Sequence, residues 1–508
     1  MNHIKRYIYL IHRWTGILMC LLMALWLVSG IVMLFIGHPK LTPWERLAAL
    51  APLPASGCCI EPAQALAQSR AAAEVKGLTL TSIRGRPHYV IQEGNGSLAA
   101  VDALSGARAA VVDRQAALDA AHAFRPGASA TYAGQVDQDR WTHSRRLNAH
   151  RPLHVVELDD AAATRVYVSS ATGEVVLDAA ASERNWNMVG AWLHWLNMLR
   201  DQPGDEVRTW TLIILSGLGV FSAASGMANG LWRWRFAGRY KNGSRSPYRE
   251  SYMRWHHLLG LGFGLILFTW IFSGLMSLNP GGIFDAKGQG GGHGAAHGSS
   301  PTQLRLALSP GAALDLLKAE NFYAKELEWR VLDGEAFILA RNAANDTRLV
   351  VASHEGFSVL LRWPEERLLR AAATLRPYPI AALETLTQYD SYYYARNAAS
   401  MYGNYERRLP VLRIVYGDAD RTWVHLDVRT GLVEQSTVQS QRARRWLFNL
   451  LHSWDLPPLL ASGWLREAVL VALSIGGLLL SVTAAVIGLR RIQHWTGAHQ
   501  KRYSSPAR

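Results

Sequence analysis

Four stretches of the chain, 14–37, 209–232, 255–279 and 468–489, are long and apolar. Crossing a bilayer as a helix takes roughly 20 such residues. Lipid offers no partner to a bare peptide group, so each crossing segment has to be helical. The two long intervals between them, 38–190 and 280–445, have the mixed composition of water-exposed folded protein. The chain therefore reads as an integral membrane protein carrying two sizeable extramembrane domains.

The charge agrees with this frame. The formal net charge is +14. The head (Lys5, Arg6, Arg13), the 233–254 loop and the tail after Leu489 together hold fifteen basic residues against Glu250 alone, and the rest of the chain carries 38 of each sign. Basic residues gather in the cytoplasmic loops of membrane proteins. The expected topology has both termini and the 233–254 loop in the cytoplasm and both domains outside. A nucleic-acid partner is excluded, because topology accounts for the whole excess. The first apolar run is too long for a usual signal-peptide core, and "FIGHPK" makes a poor cleavage site. It reads as an uncleaved anchor. Of three cysteines, Cys20 falls inside the first span, and the vicinal Cys58 and Cys59 read as incidental. No C-x-x-C-H motif is present, which argues against covalently attached haem.

The chain repeats itself. "HRWTGILMCLLMALWLVSGIVML" (12–34) aligns without gaps on "HHLLGLGFGLILFTWIFSGLMSL" (256–278), so that His12 meets His256, Trp26 meets Trp270, and Ser29-Gly30 meets Ser273-Gly274. At an offset of 258, "RPLHVVELDDAAATRVYVSSATGEVV" aligns on "LPVLRIVYGDADRTWVHLDVRTGLVE", and further on His194 meets His452 and Arg233 meets Arg491. A gapless register held over a long stretch marks an internal repeat. The expected fold is an α-helical integral membrane protein with four transmembrane helices as an internal duplication, plus two periplasmic α+β domains. The alternation around glycine-bearing turns, as in "RVYVSSATGEVV", predicts hairpins in each outer domain. The expected boundaries are 1–37 for the head and first span, 38–185 for the first outer domain, and 186–232 for an interfacial helix and the second span. The loop 233–254 and the third span 255–279 follow. A Gly/His linker takes 280–300, the second outer domain 301–440, an interfacial helix and the fourth span 441–489, and the tail 490–508.

Four histidines fall at equivalent positions. His12 and His256 open the two inbound spans, while His194 and His452 stand in Trp- and Leu-rich segments ahead of the two outbound ones. An ionisable group near hydrocarbon is costly unless it is used or satisfied, and neutral imidazole binds iron well. Pseudo-two-fold symmetry would bring each equivalent pair face to face, one pair at each membrane face. The competing reading makes all four simple interfacial anchors. His257 and His494 are neighbours that could substitute as ligands. Trp26 and Trp270 lie well inside their spans, as packing groups or on an electron path between the pairs. His293 and His297, in "GQGGGHGAAHGSS", could hold a metal ion loosely or belong to a plain tether. The run "YDSYYYARN" (389–397), with Asp390, Tyr393 and Tyr394, could shape a docking face or form a solvated loop.

These motifs, in this order and twice over, resemble the PepSY-associated transmembrane proteins: "HRWTG" opening a span, "SG" later in it, the "ATGEV" hairpin and the "LH" before the next span. The resemblance runs from 12 to 491. It implies two PepSY-like outer domains and a bacterial inner-membrane protein tied to iron acquisition, some members being haem-containing reductases of ferric siderophores. It further implies two haem b groups, one held by His12 and His256 and one by His194 and His452. Electrons would pass outward to a ferric siderophore or other ferric chelate. Some members carry a fused flavin reductase domain. No such domain is found in this sequence, so the expected donor is a separate reductase or a membrane quinol. Two further possibilities of a different class are a tethered PepSY binding or regulatory module without redox activity, and an accessory subunit of iron uptake.

Overall fold

The structure, a computed structural model, describes residues 3–54, 58–68, 75–200, 205–282, 308–354, 356–401, 403 and 407–503. Four helices reach membrane length: His3–Phe35, Glu206–Arg233, Ser251–Ser277 and Leu465–Tyr503. Each holds nearly the whole of one apolar stretch. They pack as a square bundle in which the first and third helices each lie against the second and the fourth, and face one another across the middle. Met19, Met23, Leu27, Leu267, Ile271 and Leu480 form the buried waist of the bundle.

Both outer segments stand at the same end of this bundle. The first carries strands β1 (Val75–Ile83), β2 (Arg86–Glu93) and β3 (Leu98–Asp102), then the helix Arg114–Phe124, then β4 (Ser129–Val136), β5 (Leu153–Asp159), β6 (Arg165–Ser169) and β7 (Val175–Ala179). The second carries β8 (Glu326–Leu332), β9 (Glu335–Arg341), β10 (Thr347–Ser353) and β11 (Gly356–Leu360), the helix Glu365–Leu375, then β12 (Ile380–Leu386), β13 (Val411–Tyr416), β14 (Trp423–Asp427) and β15 (Val433–Thr437).

The two segments are not separate bodies. β1 pairs antiparallel with β8, Leu78 opposite Trp329 and Leu80 opposite Leu327, and this joins strands of both into one seven-stranded sheet, β11-β10-β9-β8-β1-β2-β3. One core of Leu78, Leu80, Tyr89, Ile91, Trp329 and Ile338 underlies it. Two four-stranded sheets flank it, β4-β5-β6-β7 and β12-β13-β14-β15, each covered by one of the two helices named above. Their hairpins turn at Gly173 and Gly431, both at positive φ, where a side chain is strained.

The last two strands of the flanking sheets and the helices after them coincide at an offset of 258, while β4 and β12 do not. β6 and β14, β7 and β15, the helices Ala181–Asn187 and Gln439–Arg445, and the wide helical turns Met188–Trp192 and Trp446–Leu450 begin and end at corresponding positions. Leu196 and Trp454 both then adopt the left-handed conformation. These turns dip toward the bundle and carry His194 and His452. Gly190 lets its turn approach the first helix closely, since a β-carbon there would stand 3.0 Å from Val32. The second outer segment also clasps the first helix: Gly37 N–H donates to Ala399 O at 2.7 Å, and Met401 N–H donates to Met33 O at 3.1 Å.

Candidate functional site

At the end of the bundle away from the sheets, the structure brings His12 beside His256, with ring centroids 6.1 Å apart. His12 Nδ1 lies 3.0 Å from Ser222 O. A carbonyl only accepts, so Nδ1 carries the proton and Nε2 keeps its lone pair. His256 Nδ1 lies 3.2 Å from Thr483 Oγ1, whose own proton goes to Leu480 O at 2.8 Å. That again leaves Nδ1 as the donor. Ser222 and Leu480, the two carbonyls beneath the rings, stand at corresponding places 258 residues apart.

At the sheet end, His194 and His452 stand with ring centroids 6.4 Å apart. His452 Nδ1 donates to Trp270 O at 3.0 Å and has Ser273 Oγ at 3.2 Å. His194 Nδ1 lies 2.9 Å from Ser29 Oγ, and that hydroxyl donates to Leu25 O at 2.7 Å. The serine of each "SG" pair thus orients a histidine, and its glycine leaves room beside the ring. A β-carbon on Gly30 would stand 3.9 Å from His194, and one on Gly274 would stand 3.6 Å from His452.

In all four rings Nδ1 is the anchored atom and Nε2 makes no hydrogen bond among the described residues. A metal-binding imidazole needs this arrangement, one nitrogen held so that the other presents its lone pair. Two imidazoles gripping one ion from opposite sides, each bond about 2 Å long, hold their centroids roughly 6 Å apart. Both pairs have that spacing. Each pair lines a cavity, of about 170 Å³ at the sheet end and 180 Å³ at the other, walled mainly by apolar side chains. Such walls fit a flat apolar macrocycle. The outer pair is level with Ser29 and the inner with His12, so at 1.5 Å per helical residue the two sites lie about 25 Å apart.

Gly226 is part of the inner site. A β-carbon there would fall 2.6 Å from Cε1 of His12. Gly226→Ala is expected to displace the imidazole and lose whatever the inner pair binds. Gly217→Ala, which meets nothing within 4 Å, is expected to leave both sites intact. Absorbance of the purified variants checks the contrast.

Trp26 and Trp270 stand at the outer site, one helical turn from Ser29 and Ser273 toward the inner pair. Both line the outer cavity, and Trp26 Nε1 donates to His194 O at 3.0 Å. Met23 and Leu267 are the side chains that line both cavities. His257 is already satisfied: Nδ1 lies 2.8 Å from Ser246 Oγ and Nε2 donates to Gly230 O at 2.9 Å. It ties the basic loop to the bundle. His494 is exposed near the end of the fourth helix. His293 and His297 lie outside the described residues. Cys58 and Cys59 lie in the outer region, with Cα atoms 3.2 Å apart.

Sequence reasoning missed the polar groups that close the outer site. Asp455, 1% exposed, receives Arg396, Arg466 at 3.2 Å, Tyr394 Oη at 2.7 Å and Asn449 Nδ2 at 3.2 Å. Arg396 and Arg466 also line the outer cavity. The run 389–397 is no solvated loop, because Tyr393 and Tyr394 are buried. Asp390 pairs with Arg413 at 2.6 Å, and Arg413 Nε donates to His425 Nε2 at 2.9 Å.

Burial and the neighbouring Arg413 lower the pKa of His425 to about 3. The unfolded chain takes up a proton near pH 6.5, and the folded chain refuses it. His425 therefore contributes full stability above that pH and loses it as pH falls toward 3. The melting-temperature gap between the wild type and His425→Asn is expected to narrow steadily from pH 7 to pH 4.

A protein-family model described as the PepSY-associated TM region matches residues 9–491. No curated protein matches the chain.

Proposed function

The chain belongs to the family of the PepSY-associated TM region, and from that premise we propose that it is a di-haem electron carrier reducing ferric iron outside the bacterial inner membrane. The observation that carries this reading is the state of the four imidazoles. Each is anchored through Nδ1, each offers Nε2, and they stand in two pairs at metal-clamping distance. Bound haem iron would supply reversible one-electron chemistry at each level of the bundle.

The protein's own residues do the rest. The Ser222 and Trp270 carbonyls, Thr483 and Ser29 hold the ring tautomers. Mainly apolar walls line both cavities, and such surroundings would tune the potential of what they hold. Met23 and Leu267, which line both cavities, stand between the two levels. At the outer cavity Arg396 and Arg466 offer positive charge, fixed by Asp455, to acidic groups on a macrocycle edge. The fifteen basic residues of the head, the 233–254 loop and the tail support cytoplasmic termini, so electrons travel from the cytoplasmic or membrane side toward the sheets. Iron(II) holds hard oxygen donors less tightly than iron(III), and a reduced chelate lets go. The coincident boundaries and turns of the two halves support an internal duplication, with PepSY-like outer domains.

The test is a reoxidation experiment. Protein reduced by dithionite and freed of excess reductant is mixed anaerobically with ferric chelate and a chromogenic iron(II) trap. The expected result is haem reoxidation matched one for one by trapped iron(II). Spectra unmoved by ferric chelates would contradict the reductase reading and favour a tethered binding module.

A further inference from the structure

A polar cavity, of about 230 Å³, lies in the outer region against the turn that carries His452. Its wall holds Arg396, Arg407, Arg442 and Arg445, with Tyr392 and Tyr394 between them. Four guanidinium groups on one wall repel each other. Arg396 has Asp455, but Arg407, Arg442 and Arg445 form no ion pair with a carboxylate among the described residues. Arg442 instead donates to the carbonyls of Thr437 and Arg421, at 2.8 and 2.7 Å. Arg445 gives one bond to Asp455 O at 3.1 Å, and its Nε and Nη1 are buried without an acceptor. Buried cations and donors left in this state are costly. An oxygen-rich anion in the pocket would offset both costs, and the planar fork of arginine matches paired anionic oxygens.

The pocket is particular to the second half of the chain. At an offset of 258 its Gln435, Thr437, Arg445 and Asn449 correspond to Leu177, Ala179, Asn187 and Ala191. The backbone elements coincide and Arg442 keeps a counterpart in Arg184, yet these four groups are replaced by apolar or shorter ones. The position is also telling. Arg396 lines both this pocket and the outer histidine cavity. Arg445 and Asn449 precede His452 by two turns or less of the same segment, and Phe448 in that segment stacks on the His452 ring at 4.9 Å.

We propose that this arginine–tyrosine pocket is the docking site of the electron acceptor, and that the acceptor is a ferric chelate of net negative charge with exposed oxygen donors. The inference rests on the reductase reading for the role of the ligand, while the binding itself is independent of it. Tyr392 and Tyr394 hold the Arg445 guanidinium by their ring faces, at 5.7 and 4.9 Å, so the fork is preorganised for the anion.

Gallium(III) citrate, which is redox-inert, tests the binding alone. The full chain in detergent is titrated by calorimetry with gallium citrate, with a cationic gallium hydroxamate, and with phosphatidylglycerol as competitor. Saturable binding of gallium citrate is expected, weakened by salt and absent for the cationic complex. Arg445→Gln and Arg407→Gln are each expected to weaken it at least tenfold. Arg444→Gln, an exposed neighbour, is expected to bind as the wild type. Should Arg445→Gln fail to fold, by its melting curve, Arg407→Gln decides. A flat wild-type titration, wild-type affinity in Arg407→Gln, or displacement by phosphatidylglycerol at equal concentration would overturn the proposal. Gallium binding to a preparation without haem would leave it standing and remove the redox reading. Haem without gallium binding would do the reverse.

Discussion

His12→Ala or His256→Ala removes one haem per chain and spares the other, and His194→Ala or His452→Ala removes the second and spares the first. That is the expected result of single substitutions in a protein expressed with ample haem, read from absorbance and haem content. The two pairs lie about 25 Å apart along the helices, share no ligand, and are each anchored by their own carbonyls and hydroxyls. Loss at one level therefore leaves the other's geometry alone. His257→Ala serves as the control. Both its nitrogens are engaged, one by Ser246 of the basic loop and one by Gly230 of the second helix, so its loss is expected to cost some stability and no haem. Variants of both pairs that lose both groups, or none, would contradict the assignment.

Asp455→Asn is expected to be the most destabilising conservative change in the outer region. The carboxylate is fully enclosed and balances two arginines, Arg396 and Arg466, which are themselves buried. An amide of the same shape keeps the packing but strands two charges. Breaking a buried ion pair on one side typically costs about 3–5 kcal/mol. Asp205→Asn, at a pair one turn long on the first turn of the second helix and more open to solvent, is expected to cost about 1 kcal/mol or less. Unfolding midpoints of the two variants in the same detergent give the comparison. Because Arg396 and Arg466 line the outer cavity, Asp455→Asn should also shift the potential of the haem proposed for the outer pair while leaving the one proposed for the inner pair in place.

Much of this architecture was legible in the sequence, for identifiable reasons. Apolar length alone marks the four helices, because lipid permits little else. The histidine pairs are legible because a repeat without gaps puts His12 with His256 and His194 with His452, and the structure brings those rings side by side. The joint sheet was not legible. β1 and β8 lie in different halves of the chain, and nothing local in either states that its partner lies some 250 residues away. Trp26 and Trp270 looked central because they sit deep in their spans. They fall within the outer site because the His194 and His452 turns dip into the bundle to meet them. The anchoring of Nδ1 by a backbone carbonyl leaves no trace in residue identity, and neither does the closeness of Gly226 to His12. The Asp455 cluster gathers Tyr394, Arg396, Asn449 and Arg466 from three segments, so no spacing could reveal it.

The central claim is that each imidazole pair clamps one haem. Its most direct measurement is the haem content of the purified full chain, with the reduced-minus-oxidised spectrum of the same sample. Two b-type haems per chain, both with the spectrum of iron held by two nitrogen ligands, is the result this account predicts. A chain that folds in the presence of ample haem and carries none would contradict it.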